Sequence, residues 1–299
     1  MWLLSWLMVV GTYARHRCSV QTATPLRGAP IHCYPLHVQT GTWQGTGSMV
    51  DKTGSSGVAL IVGASGGIGR AVVEHYLGST LCAQVIAVSR SPQPQELACH
   101  GARLRWLVCD SSQAAIEQAL GSMGDVSRQL SRIIICNGIL HSETVAPEKS
   151  LFKLDEAAMQ EVLHANTVVP ALWVAALSRV LRGGVDCVIA VLSARVGSIS
   201  DNRLGGWYSY RASKAALNNI AEAFAMETLG QGIRVNTVCP AETDTEMCST
   251  ANPPDADTSK WMQPDDIADV NLFLLSEQSR AMTGATLIAA GYNKLSRWG

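Results

Sequence analysis

The sequence predicts an α/β fold: one doubly wound, parallel sheet of about seven strands with helices on both faces. Three observations lead there. Short apolar runs alternate with stretches of helical periodicity from residue 58 onward. The runs are apolar throughout rather than alternating with polar residues, as strands covered on both faces require. And the first run ends in glycines that open directly into a helix-period stretch, which is how a parallel βα crossover begins.

Taken in order, residues 58–62 (VALIV) form the first strand, and Ile68, Val72, Val73 and Leu77 mark one face of the helix that follows. Strands are expected at 84–88 (QVIAV), 104–108 (LRWLV) and 133–135 (III). A long helix is expected over 155–182, closed by Gly183-Gly184. The fifth strand covers 185–192 (VDCVIAVL). A second long helix covers 208–229 and stops at Gly230 and Gly232, and strands at 233–239 (IRVNTVC) and 286–289 (TLIA) complete the sheet. Residues 243–264 are polar, contain Pro253-Pro254 and lack periodicity, so they read as a mobile loop or lid with a short helix.

A chain of 299 residues suits one large domain, or one domain with an appendage, and 47 % hydrophobic residues supply a sizeable core. A net charge of −1 gives no reason to expect nucleic acid as a partner. The nine cysteines include no CxxC pair and several lie inside apolar runs, so no metal site is expected. Free thiols of a reducing compartment fit best, hence a cytoplasmic protein. Residues 1–48 differ from the rest: they hold no Asp, Glu or Lys. The apolar stretch 1–10 is too short to span a bilayer comfortably, and its arginines follow it rather than precede it. Three readings stand: translation starting at Met49, a targeting or anchoring segment, or a structured extension. The expected division is therefore an N-terminal extension, 1–48, and a catalytic domain, 49–299.

The glycine-rich turn is Gly63-Ala64-Ser65-Gly66-Gly67-Ile68-Gly69. Glycines let the backbone approach a ligand, and the helix N-terminus offers free N–H groups and partial positive charge to a pyrophosphate. Gly63, Ser65, Gly67, Ile68 and Gly69 are thus expected to bind a dinucleotide. After the second strand, an acidic residue would bind a free ribose 2′-hydroxyl. The chain has Ser89-Arg90 there, and an arginine pairs with a 2′-phosphate, so NADP(H) is favoured over NAD(H). Asp110 ends the third strand and Asn137-Gly138 follows the fourth, where a small residue lets cofactor pass close.

Tyr210 and Lys214 stand four residues apart on a helix, on one face and one turn apart. A phenol with a pKa of about 10 is a poor acid at neutral pH, and a nearby ammonium is expected to pull that value down. Around them the chain reads Tyr208-Ser209-Tyr210-Arg211-Ala212-Ser213-Lys214.

These motifs together resemble the short-chain dehydrogenases/reductases, a Rossmann-type family, and the helix resembles its C-factor-like carbonyl reductase branch. The resemblance spans about residues 56–298. It rests on the TGxxxGxG turn (with Val62 for Thr), the NNAG segment (here Cys136-Asn137-Gly138), the YxxxK pair and a PGxxxT segment in which Ala241 replaces Gly. It implies a hydride transfer between NADP(H) and a carbonyl or alcohol, with Tyr210 as acid and Lys214 tuning it and holding ribose. It implies that Asn166 orders a relay water, and that Pro240, Thr243 and Thr245 flank the nicotinamide. Asp110 is implied to contact adenine, or else caps the next helix. Where the family has a catalytic serine this chain has Ala194; Ser193 is taken as the substitute, with Ser198 as another option. A homodimer or homotetramer pairing through the long helices is the family expectation, with a small-molecule substrate and no membrane. Two rivals remain: a nucleotide-binding regulatory protein on the same fold with lost turnover, or an epimerase or dehydratase.

Overall fold

A computed structural model describes residues 57–290. The expectations for residues 1–48 therefore lie outside the described residues. Seven parallel strands form one sheet in the order β3-β2-β1-β4-β5-β6-β7. They are β1 Val58–Val62, β2 Gln84–Ser89, β3 Leu104–Val108, β4 Leu130–Ile135, β5 Cys187–Leu192, β6 Ile233–Pro240 and β7 Thr286–Ala289. The strand order reverses direction between β1 and β4, the switch point outside which such sheets bind ligands. Every residue of β1 and β5 is buried, which is why both read as unbroken apolar runs.

The two faces separate cleanly. Leu60, Val62, Ile133, Ile135, Ile189 and Val191 pack with Ile116 of α2 (Gln113–Met123), Trp173 and Leu177 of α4 (Val169–Val180), and Leu217 and Phe224 of α5 (Tyr208–Glu227). On the other face Ala59, Ile61, Val85, Ala87 and Ile134 pack with Val72, Val73 and Tyr76 of α1 (Gly67–Gly78), and Ala268 of α7 (Pro264–Leu274) lies there too. The period-2 assignment of strand residues to faces and the fully apolar runs thus have one cause.

Strands β1, β3 and β7 have the expected bounds. β4 begins earlier, at Leu130: Leu130 pairs with Val58 and Arg132 with Ala59, the register shifts at Ser131 between them, and the two polar residues lie in a half-buried start. β5 begins later, at Cys187; Val185 is 49 % exposed and stays outside the ladder. Ser112 caps α2, accepting from Ala115 N, and Gln263 and Asp266 form a capping box at α7 beside Pro264.

The long helix expected over 155–182 is interrupted. Asp155 caps α3 (Glu156–Leu163), residues His164–Val168 form one π-turn, and α4 continues from there. Pro170 supplies the reason: it has no N–H for the carbonyl of Asn166, four residues earlier, so an α-helical ladder cannot pass through unbroken. The polar stretch 243–264 does contain a short helix, α6 (Glu246–Ala251), capped by Thr245. It is tied down at its far end, where Asp244 N donates to Met262 O (2.8 Å) and Met262 N to Glu242 O (2.9 Å). Among the described residues no helix is long and apolar enough to cross a membrane.

Candidate active site

A cleft of about 610 Å³ opens at the carboxyl ends of the central strands. Nine of the residues singled out in the sequence line it: Ile68, Asn137, Gly138, Ser193, Tyr210, Lys214, Pro240, Thr243 and Thr245. They come from the β1–α1 turn, the loop after β4, the end of β5, helix α5 and the segment after β6, so only the sheet's topology brings them together. Asn166 stands behind the cleft, fully buried. Gly63, Ser65, Gly67, Gly69, Ser89, Arg90 and Asp110 lie outside its lining, along the ends of β1, β2 and β3.

The glycine turn is shaped by contact. Gly63 has φ +84°, and a Cβ there would sit 3.1 Å from the Cys136 carbonyl carbon and 3.2 Å from Asn137 N. A Cβ on Gly69 would collide with Gly63 O, so a side chain there would push α1 off β1. Gly67 lies under Thr245, whose Cγ2 would be 2.7 Å from an added Cβ. The segment after β6 therefore closes directly over the turn. Ser89 is buried and donates to Ser65 Oγ (2.8 Å) while accepting from Ser91 N (3.0 Å). The two expected serines thus form one polar ledge, with Arg90 exposed beside it and making no ion pair or hydrogen bond among the described residues.

Asp110 does not cap α2. Its Oδ1 accepts from Ser112 N (2.8 Å), a bond that holds its carboxyl below the usual carboxylate range, and Ser112 is the cap. An Asx turn of this kind presents the serine to the helix rather than the aspartate.

Lys214 is buried, and its Nζ donates to Leu192 O (3.0 Å) at the end of β5. The ammonium lies 5.9 Å from the centre of the Tyr210 ring. Burial pulls the lysine's pKa down to about 8, against the raising influence of the Cys239 and Cys136 thiols. The Tyr210 phenol moves the other way from the sequence expectation. Burial pushes its pKa up, with Cys239 and Cys248 adding to the rise. The ammonium is therefore too weak an influence in this arrangement to offset desolvation. The phenol is therefore protonated at neutral pH, though a weaker acid than a free phenol. The thiols are no rivals as nucleophiles, since burial raises Cys136 to about 12 and Cys239 to about 11.

Asn166 holds the loop after β4 in place. Its Oδ1 accepts from Ile139 N (2.7 Å), and its Nδ2 donates to Ile139 O (2.9 Å) and Ser213 Oγ (3.0 Å). Ser213 in turn donates to Tyr210 O (2.8 Å). One buried amide thus links the loop, the π-turn and α5. A Cβ on Gly138 would stand 3.2 Å from both Asn166 Oδ1 and Lys214 Nζ, so a side chain there would crowd the lysine where it lines the cleft.

Ser193 is buried beside the Cys239 thiol, and its Oγ makes no hydrogen bond of good geometry. Both Ser193 and Ala194 line the cleft, because the strand ends at Leu192 and the chain turns there. Ser198 does not line it: its hydroxyl faces Ser200 Oγ and accepts from Asp201 N. Several residues of the site went unread in the sequence. Leu140, Leu204, Trp207, Met247 and Ile288 give the cleft apolar walls. No spacing signals them, since they come from four separate segments.

A parallel sheet with a glycine turn at its switch point, and a Tyr–Lys pair at the strand ends, defines a dinucleotide-dependent oxidoreductase site. The comparisons give the family. The model of the short chain dehydrogenases matches residues 57–256, and the chain belongs to that family, whose members are NAD(P)-dependent oxidoreductases. It is 28 % identical over 248 residues to the D-threitol dehydrogenase of Mycolicibacterium smegmatis, covering 78 % of this chain and 91 % of that one. It is 27 % identical over 252 residues to the 3-oxoacyl-[acyl-carrier-protein] reductase FabG of Rickettsia conorii, covering 81 % and 98 %. Among solved structures, a short chain dehydrogenase from Shigella flexneri complexed with NADP superposes with a TM-score of 0.69 at 26 % identity, covering 79 % and 97 %.

Proposed function

We propose that this chain reduces carbonyl compounds at the expense of NADPH, with Tyr210 as the proton donor, and that it belongs with the C-factor-like carbonyl reductases. The observation that carries the reading is the Tyr210–Lys214–Gly138 cluster: a protonated phenol and a buried ammonium at one wall of the cleft, beside a residue without a side chain.

The residues present fit a dinucleotide. Gly63, Gly67 and Gly69 with the N-terminus of α1 provide a cradle for pyrophosphate. The Ser65–Ser89 ledge and the unengaged Arg90 suit a 2′-phosphate, which supports NADP(H) over NAD(H). Asp110 stands where adenine would lie. Asn137, Gly138, Pro240, Thr243 and Thr245 border the nicotinamide end. When bound, the nicotinamide supplies the hydride. Tyr210 then gives its proton to the carbonyl oxygen as negative charge develops there. Lys214 stabilises the phenolate left behind and holds ribose hydroxyls. Ser193, whose hydroxyl is buried beside the Cys239 thiol without a directed partner, would donate to the same carbonyl oxygen after turning toward the cleft. Asn166 keeps the loop after β4 and helix α5 in register and orders the water through which, by way of Lys214, a solvent proton returns to the Tyr210 phenolate. The apolar walls favour a carbonyl compound with an apolar body. A cytoplasmic homodimer or homotetramer built through α4 and α5 completes the proposal.

Tyr210→Phe tests it. NADPH oxidation against a panel of aldehydes, ketones and quinones should fall by about 10²–10⁴-fold. NADPH binding, followed by nicotinamide fluorescence, should stay nearly unchanged. Equal turnover by the variant removes Tyr210 as the acid.

A further inference from the structure

Helix α5 begins in an unusual way. Gly205, Gly206 and Trp207 run consecutively through left-handed backbone, with φ of +63°, +67° and +53°. Trp207 occupies the N-cap position and has no side-chain oxygen with which to satisfy the first turn. The turn is satisfied from elsewhere. Glu148, in the loop between β4 and α3, is only 6 % exposed. Its carboxylate accepts from Ser209 N, 3.3 Å from each oxygen, and from Ser209 Oγ. Its main-chain carbonyl accepts from Trp207 N (2.6 Å). A Cβ on Gly206 would stand 3.3 Å from that same carbonyl.

We propose that Glu148 is a positioning residue for Tyr210, capping the helix that carries it from 61 residues away along the chain. The proposal rests on Tyr210 being the acid, as inferred above. Ser209 precedes Tyr210 directly, and Trp207 meets it edge to face, ring centres 6.2 Å apart at 80°. One residue therefore fixes both the start of the helix and the ring against which the phenol leans. Anionic charge at a helix N-terminus is favourable, so a buried carboxylate is tolerable at that place. Arg211 closes the other side, donating to Gly205 O (3.2 Å), Gly206 O (2.9 Å) and Val196 O (3.3 Å). Without the Glu148 side chain the three left-handed residues keep that clamp, the main-chain bond from Trp207 N to residue 148 and the bond from Gly205 N to Asn202 Oδ1 (3.2 Å), and the first turn loses its cap at Ser209.

The test compares Glu148→Ala, Glu148→Gln and Ser209→Ala with wild type in the full chain. Gln keeps an acceptor oxygen for Ser209 and loses the charge; Ala loses both. Amide hydrogen exchange over 205–213 should quicken about tenfold or more in Glu148→Ala, a lost capping bond in a native state, and change little in Glu148→Gln. Against the carbonyl panel kcat should fall severalfold or more in Glu148→Ala, with KM for NADPH held, and recover most of the loss in Glu148→Gln. Ser209→Ala should fall between the two and serves if Glu148→Ala does not fold. Unchanged exchange in Glu148→Ala overturns the proposal, or in Ser209→Ala should the former not fold. So does a loss of NADPH binding and kcat in step, with no recovery by Gln. If wild type reduces nothing in the panel, the reductase reading fails instead, and the exchange result still decides whether Glu148 fixes the helix.

Discussion

Arg90 and Lys214 carry opposite electrostatic assignments. Arg90 is exposed, free of partners among the described residues, and beside the buried Ser89 that ends β2. Arg90→Ala should weaken NADPH by about tenfold while leaving NADH nearly unchanged, since one charge-assisted contact to the 2′-phosphate is lost. KM for the two cofactors measures it, and an unchanged ratio refutes the contact. Lys214 has its pKa lowered from 10.5 to about 8 by burial. Between those values the unfolded chain binds more protons than the folded one, so this residue makes stability rise with pH from about 8 to 10.5, by at most about 3 kcal/mol. Below pH 8 the cost of burying the ammonium is felt in full. Buried acids such as Tyr76 and Cys187, raised by burial, pull the other way at high pH. Lys214→Met should therefore be as stable as wild type or more so at pH 7, and lose its advantage at pH 10, while turnover disappears. Urea denaturation of both proteins at the two pH values isolates the difference.

At the scale of elements, the π-turn His164–Val168 decides where Asn166 points. Such turns gather at functional sites because they re-aim one residue of a regular helix. Pro170 keeps the α-helical ladder from closing there. Pro170→Ala should let the ladder close, turn Asn166 away from Ile139, and lower kcat severalfold while the thermal midpoint holds or rises. Hydrogen exchange at Ile139, whose amide depends on Asn166, reports the change directly. Element bounds were legible where glycines stand directly on both sides of an apolar run, as Gly57 and Gly63 do at β1. They were illegible where polar residues joined a strand, as Ser131 and Arg132 did in β4, and where a proline widened a helix without ending it.

For the whole molecule, the family match begins at residue 57, and everything assigned to the site lies after it. A chain beginning at Met49 should keep the thermal midpoint and NADPH affinity of the full chain. A drop in either would show that residues 1–48 contribute to the catalytic unit. The nine cleft residues singled out from motifs were readable because each sits at a strand end or a helix turn that topology places at the switch point. The apolar cleft walls were not, because a wall assembled from separate loops has no period. Glu148 escaped for the same reason: its partner is far along the chain, and a lone acid in a loop carries no signal.

By itself the sequence determined the parallel sheet, the glycine turn and the Tyr–Lys pair. These depend on neighbours within a few residues, where periodicity, glycine backbone freedom and helical pitch act. The tertiary structure alone decided the protonation of the site. It placed enough protein around Tyr210 and Lys214 that desolvation is the largest influence on each, raising one pKa and lowering the other.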